Sequence, residues 1–239
     1  MLFLSSDVEQ DAPPYFATER GIREGLPAIL DMLDELNVKV TFFVVGRIAE
    51  RYPGLISLMA ERGHEIGSHG YTHRRLDRIP RSEAVEEVLR SLKVLRDIYE
   101  VKSFRAPNLK LPRDLLGLLR QEGVRVDSSL ASYKPPFAQR PFIEEGLVRV
   151  PASFTSSVIR LPWWALRAYL EALSPLPAIT VFVHPWEVSG MRHPRPDISW
   201  GTGPGVLAKL KRLVRFAMAR GYEVHPVGDA EGLVNRLAR

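Results

Sequence analysis

The 239-residue sequence contains no cysteine. Disulfides are excluded, as is any thiolate metal site, so a bound metal would have to rest on nitrogen and oxygen ligands. No run of about 18 consecutive apolar residues occurs, and nothing reads as a transmembrane segment. The opening residues, Met1-Leu2-Phe3-Leu4-Ser5-Ser6-Asp7, lack a basic n-region and a small-residue cleavage site, so they read as a first strand, not a signal peptide. That reading predicts a cytoplasmic location, with a substrate in the cytoplasm or at the inner membrane face. There is also no basic run interleaved with aromatics. The net charge of +5 comes from arginines dispersed along the chain, and no nucleic-acid signature results.

What is present is ordinary for a globular protein: 45% apolar and 26% charged residues, with no composition break that would mark a linker. One α/β domain over residues 1–239 is expected. Short β-type runs alternate with helix-period segments, which argues for βαβ units and a parallel sheet. Strands are predicted at 2–6, 38–44, 65–68, 102–105, 124–128, 147–151, 179–183 and 222–225. Helices are predicted near 20–36, 47–62, 81–99, 112–122, 163–173 and 204–220. Gly63, Gly123 and Gly221 follow helices as C-terminal caps do. Two stretches, 129–146 with Pro135-Pro136 and Pro141, and 184–204, read as long loops of the kind that carry function. The helix from Pro162-Trp163-Trp164 onward, with Leu166, Tyr169 and Leu170, is expected to pack in the core, with an oligomer or membrane-surface face as the other reading.

The polar residues fall at strand ends. Asp7 and Glu9 follow strand one, His69 and His73 follow strand three, Arg105 ends strand four, Asp127 and Ser128 end strand five, and His184 follows strand seven. In parallel α/β barrels such positions converge on one mouth. In Ser68-His69-Gly70-Tyr71-Thr72-His73, two imidazoles four apart can share a face and chelate a divalent ion, although the same spacing also fits two solvated loop histidines. In Asp7-Val8-Glu9, residues 7 and 9 point the same way and Val8 the other. Two close carboxylates repel unless a cation lies between them or one is protonated. One could ligate a metal while the other takes a proton; a solvated acidic turn before Pro13-Pro14 is the rival.

His184, fixed by Pro185 and followed by Trp186, suits a general acid, or a satisfied structural histidine. Arg105 could orient a carboxylate base through a bidentate bond, or lie at the surface before a turn. Asp127 and Ser128 could hold His184 in one tautomer, or cap a loop. Tyr133, Trp186 and Trp200 could stack on sugar faces, or pack within their loops. His64 reads as structural; His193 and His225 gain no partner from the sequence.

The run Gly63-His64-Glu65-Ile66-Gly67-Ser68-His69-Gly70-Tyr71-Thr72-His73 resembles the second motif of the polysaccharide deacetylases, the NodB-homology or carbohydrate-esterase family four group. Thr41-Phe42-Phe43-Val44-Val45-Gly46 resembles the strand before it, and Phe104-Arg105-Ala106-Pro107 the third motif. Val126-Asp127-Ser128-Ser129 and Val183-His184-Pro185-Trp186-Glu187 are similar to signatures of its Asp-Val-Glu branch. These matches span residues 1–190 in the family's order.

The resemblance implies a distorted, incomplete (β/α) barrel of about seven parallel strands. It implies a divalent metal, zinc foremost, with cobalt, nickel or manganese as substitutes, held by His69 and His73. By position, Asp7 corresponds to the catalytic base, His184 to the acid and Arg105 to the residue holding the base. The family's adjacent aspartate pair is replaced by Asp7 and Glu9. Glu9 is the expected third ligand, with Asp7 as the other choice. The family's usual fourth motif is not recognisable, and Trp186 would fill its hydrophobic role. Pro107, Asp127, Ser128, Tyr71 and Trp186 are expected to support the site or the substrate, with a backbone N–H near Tyr71 stabilising the oxyanion.

The implied reaction is removal of an acetyl group from an N-acetylated amino sugar, in a polymer or a lipid-linked glycan. An allantoinase-like hydrolase of a small amide, or an inactive glycan-binding relative, are the alternatives. Homo-oligomerisation stays open.

Overall fold

The computed structural model describes residues 1–134 and 140–237. The expected Pro135-Pro136 loop lies outside the described residues. Strand β1 (Leu2–Val8) sets the frame. Its side chains alternate: Leu2, Leu4 and Val8 pack outward against helices, while Phe3 faces inward with Phe43, Val126 and Val148. Ser5 and Asp7 share Phe3's face and run toward the mouth, so one strand supplies both core and site.

Around it the strands are β2 (Thr41–Val44), β3 (Glu65–Ser68), β4 (Ser103–Phe104), β5 (Val126–Asp127), β6 (Phe142–Glu144), β7 (Leu147–Arg149), β8 (Ile179–Val183) and β9 (Val224–His225). Their order is β6-β7-β5-β4-β3-β2-β1-β8, parallel throughout except for the antiparallel β6–β7 pair, with β9 paired to the start of β1. Seven strands, β7-β5-β4-β3-β2-β1-β8, form the barrel wall, as the resemblance implied. Its two edges are joined by only a few bonds: Ser153 N–H donates to the Thr180 carbonyl at 2.9 Å, and Thr180 N–H donates to Ser153 Oγ at 2.9 Å. The barrel is therefore distorted and incompletely laddered.

The helices are α1 (Leu26–Leu36), α2 (Gly46–Arg51), α3 (Pro53–Glu61), α4 (Arg81–Arg96), α5 (Leu116–Gln121), α6 (Trp163–Leu173), α7 (Pro185–Ser189), α8 (Pro196–Ser199), α9 (Pro204–Ala219) and α10 (Ala230–Leu237). Leu166 and Leu170 of α6 are buried, and Tyr169 packs partly buried against the same core. Gly63, Gly123 and Gly221 sit just past helices with φ near +80°, as their positions suggested.

Several expectations need correction. The helix expected at 47–62 is two helices, because Tyr52 precedes Pro53 and takes an extended φ of −131°, after which Pro53 starts a new helix. The expected loop at 129–146 contains the β6–β7 hairpin, turned on Glu145 and Gly146 with φ of +50° and +79°. The expected loop at 184–204 holds α7 and α8, each begun by a proline. Helix α10 was not anticipated; Ala230, Leu233 and Val234 plug the base of the barrel interior. The segment at 20–36 enters α1 through a wide turn, Gly21–Gly25. Both glycines are pressed against α7: a Cβ on Gly21 would lie 2.4 Å from Trp186 N, and one on Gly25 2.0 Å from the Pro185 carbonyl. That contact fixes the turn carrying His184 and Trp186. Among the described residues no helix is long and apolar enough to cross a membrane.

Candidate active site

The structure brings Asp7, Glu9, His69, His73, Arg105, His184 and Trp186 together at the carboxyl ends of the strands. Asp7 is 3% and Glu9 4% exposed, so neither carboxylate is screened by bulk water. Glu9 Oε2 lies 2.7 Å from His73 Nε2 and 3.4 Å from His69 Nε2. Ligand atoms of Glu9, His69 and His73 all fall within 4.8 Å of one another. Asp7 Oδ2 is 3.9 Å from both His69 Nε2 and His184 Nε2.

The donor set fits a divalent cation that accepts nitrogen and oxygen ligands. His69 Nδ1 is 2.7 Å from the Arg105 carbonyl, a bond that takes the proton onto Nδ1 and leaves the Nε2 lone pair facing the cluster. Trp186 Nε1–H donates to Glu9 Oε1 at 3.1 Å, which leaves Oε2 toward the histidines. Burial alone would raise the Glu9 carboxyl; His73, His184 and His69 outweigh it and hold the group well below the usual carboxylate range.

The two histidines are held from behind by Glu87 of α4. Its Oε2 accepts from the backbone N–H of Tyr71 at 3.0 Å and of Thr72 at 2.8 Å, and its Oε1 accepts from the Thr72 hydroxyl. The Tyr71 and Thr72 amides are thus already spent on Glu87, so an oxyanion donor in this loop would have to be another backbone N–H. Pro107 packs on the same loop, where a Cβ on Gly70 would meet it at 3.4 Å.

Arg105 is fully buried. One guanidinium nitrogen donates to Asp7 Oδ1 at 2.6 Å and to Ser5 Oγ at 2.9 Å; the others donate to Ser128 Oγ and the Ser128 carbonyl. The guanidinium carbon lies 4.2 Å from the Phe43 ring centroid and 5.2 Å from that of Phe182. A buried cation so fully bonded is a fixed counter-charge for Asp7. Ser128 supports it directly. Asp127 does not reach His184: it accepts from Arg149 Nε at 2.8 Å and from Ser129, whose Oγ in turn accepts from Ala106 N–H. The tautomer-holding role expected of Asp127 falls to Glu187 instead.

Glu187 closes one helical turn on His184. Its Oε2 lies 2.9 Å from His184 Nδ1 and accepts from His184 N–H at 3.0 Å, while Oε1 accepts from Arg160 Nε at 2.7 Å. Burial works against the charged imidazole, but Glu9, Glu187 and Asp7 outweigh it, and the His184 pKa is pushed up to about 9. Burial opposes the Glu187 charge as well, yet His184 and Arg160 draw its pKa down to about 2. The Trp186 ring stacks on His184 at 5.1 Å between centroids.

The site opens into a cleft of about 360 Å³, whose walls include Tyr15, Asn108, Tyr133, Ser156 and Ile198. Burial raises the Tyr133 hydroxyl to about 12, so it enters the cleft protonated. Trp200 is 52% exposed and is not among the residues that line the cleft. His64 is buried at the other end of β3, its Nδ1 accepting from Val40 N–H at 3.4 Å. His193 packs against Tyr15 and Phe16, and His225 lies between Glu223 and Asp229. Glu87, Arg160 and the role of Glu187 escaped the sequence reading. The one available signal was Glu187 at the third helical position after a possible cap.

The fold is a distorted parallel α/β barrel with an arginine-held aspartate, two imidazoles and a second carboxylate at its mouth. A family model for polysaccharide deacetylases matches residues 11–126, a stretch holding His69, His73 and Arg105 but not Asp7, Glu9 or His184. A peptidoglycan-N-acetylglucosamine deacetylase of Bacillus cereus is 36% identical over 86 residues, 35% of this chain and 31% of that protein. A chitooligosaccharide deacetylase of Bradyrhizobium is 25% identical over 204 residues, covering 84% of this chain and 82% of that one. A crystal structure from Mycobacterium smegmatis superposes with a TM-score of 0.76 at 23% identity, covering 99% of this chain and 89% of the other. Over residues 11–126 the chain matches the polysaccharide deacetylase family model, and along most of its length it is similar to a chitooligosaccharide deacetylase and shares the fold of the superposed structure.

Proposed function

We propose that residues 1–239 act as one domain, a metal-dependent hydrolase that removes an acetyl group from an N-acetylated amino sugar. The observation that carries this reading is that Asp7 and His184 both adjoin the Glu9–His69–His73 cluster and each other. Asp7 Oδ2 and His184 Nε2 are 3.9 Å apart, and each is held from behind by its own buried partner.

Glu9, His69 and His73 would hold a divalent cation such as zinc, which would supply Lewis-acid polarisation and a lowered pKa for the attacking water. Arg105 bonds Asp7 Oδ1 and fixes its orientation, leaving Oδ2 free to accept the water proton. His184 carries a proton on Nε2 and gives it to the leaving nitrogen, while Glu187 holds Nδ1–H and stabilises the imidazolium. Acetate and a free amine leave. Tyr133 and Trp186 line the cleft, where a sugar can pack against them. The reading of an inactive glycan-binding relative would leave this aligned acid and base without use.

Acetate release from N-acetylated glucosamine oligosaccharides, with and without chelator, tests the proposal. Release that stops on chelation and returns with zinc is expected. Release unaffected by chelator overturns the metal role. Turnover of ureides but not of acetylated sugars favours the allantoinase-like alternative.

A further inference from the structure

Arginines that look scattered in the sequence gather on one side of the fold. Helices α6 and α9, with Arg220 that caps α9, carry Arg167, Lys209, Lys211, Arg212, Arg215 and Arg220 against Glu171 alone. Six cations less one carboxylate give +5, the whole net charge of the chain, so the remaining residues sum to zero. The two helices lie side by side: Arg212 sits 4.2 Å over the Trp163 ring, Trp163 meets Phe216 edge-on at 5.6 Å, and Arg220 reaches Glu171 at 3.0 Å. Glu35 of α1 neutralises Lys211 from the flank, and the Lys209 ammonium donates to the Arg160 carbonyl.

On this face Trp164 is 75% exposed, the most exposed of the large hydrophobic side chains among the described residues. An indole projecting beside arginines is the composition of a bilayer interface, where the ring sits at headgroup depth and the cations meet anionic lipid. The segment leading into α6 carries Ser156, Ser157 and Arg160, all of which line the catalytic cleft. Trp164 follows Ser157 by seven residues, so it lies within about 25 Å of the cleft wall.

We infer that the α6–α9 face docks on an anionic lipid surface with the cleft beside the headgroup layer. The charge argues for lipid over a second copy of the chain, since two such faces would repel. The inference stands on charge and exposure alone, independent of the deacetylase reading, and suits a substrate anchored at that surface.

Flotation with vesicles of phosphatidylcholine, with and without about 30 mol % phosphatidylglycerol, tests it. The full chain is expected to float with the anionic vesicles, not with the neutral ones, and to detach in about 0.5 M salt. Arg212→Glu with Arg215→Glu should weaken partitioning more than about twentyfold, since each cation counts for roughly fivefold. Trp164→Ser should weaken it several-fold, while Lys93→Glu, a charge reversal on α4, should leave it near the original. Acetate release from a short soluble oligosaccharide should be unchanged in all three, which separates this inference from the reaction. Failure to float with anionic vesicles overturns it, as does equal loss in Lys93→Glu or unchanged binding in Trp164→Ser. Binding to a single-stranded oligonucleotide in place of the vesicles would assign the face to nucleic acid, and self-association abolished by Trp164→Ser would assign it to a second copy.

Discussion

Glu187 Oε2 lies 2.9 Å from His184 Nδ1, three residues back on the same turn, and the other Glu187 oxygen is gripped by the buried Arg160. The acid of the proposed reaction therefore carries its orienting carboxylate in its own helix start. Glu187→Gln keeps the shape but offers an amide to a ring nitrogen that should be N–H. We expect kcat to fall by roughly 10²-fold, with little change in KM, whereas His184→Ala should cost roughly 10²–10⁴-fold. Steady-state kinetics on acetylated oligosaccharides check both; an unchanged kcat in Glu187→Gln would leave that carboxylate a structural cap.

Two residues that touch no ligand atom of the histidines should nevertheless tune metal affinity. Trp186→Phe removes the hydrogen bond to Glu9 while keeping the stack on His184, and Glu87→Ala frees the loop between His69 and His73. Each should weaken zinc binding by roughly 10–100-fold, the usual effect of losing an outer-shell partner. Competition with a chromogenic chelator reads this directly. Glu87→Gln, which still accepts from the two amides, should recover most of the affinity.

His64 gives a pH dependence far from the site. Burial lowers its pKa to about 4, with Lys39 adding to the shift, against an ordinary value near 6.5. Between these values the unfolded chain binds the proton and the folded chain does not. The stability His64 contributes is therefore full above about pH 6.5 and declines as pH falls toward about 4, by up to about 3 kcal/mol. Urea denaturation of the original chain and of His64→Gln, compared from about pH 7.5 down to about pH 4.5, should show a shallower loss in the variant.

Much of the barrel and the roster of strand-end residues was legible in the sequence because both rest on local pattern. Period-two alternation in β1 puts Phe3, Ser5 and Asp7 on one face, and the same rule puts Glu9 beside Asp7. What stayed hidden depends on distant parts of the chain. Glu87 reads as a surface position on an amphipathic helix, yet it is buried because the 70–73 loop folds onto it. Asp127 looked like a partner for His184, but Arg149 arrives from β7 and takes it. Helix α10 carries too short an apolar pattern to announce that it plugs the barrel. The β6–β7 hairpin turns on Glu-Gly, outside the Asn-Gly and Asp-Gly pairs that mark such turns most clearly.

The central claim is that Glu9, His69 and His73 hold a catalytic divalent ion while Asp7 stays free to act as base. Calorimetric titration of zinc into the original chain, His73→Ala, Glu9→Gln and Asp7→Asn tests this in one measurement. The account predicts one equivalent bound by the original chain, loss or severe weakening in His73→Ala and Glu9→Gln, and retained binding in Asp7→Asn. Full-strength binding by His73→Ala, or loss of binding confined to Asp7→Asn, would contradict it.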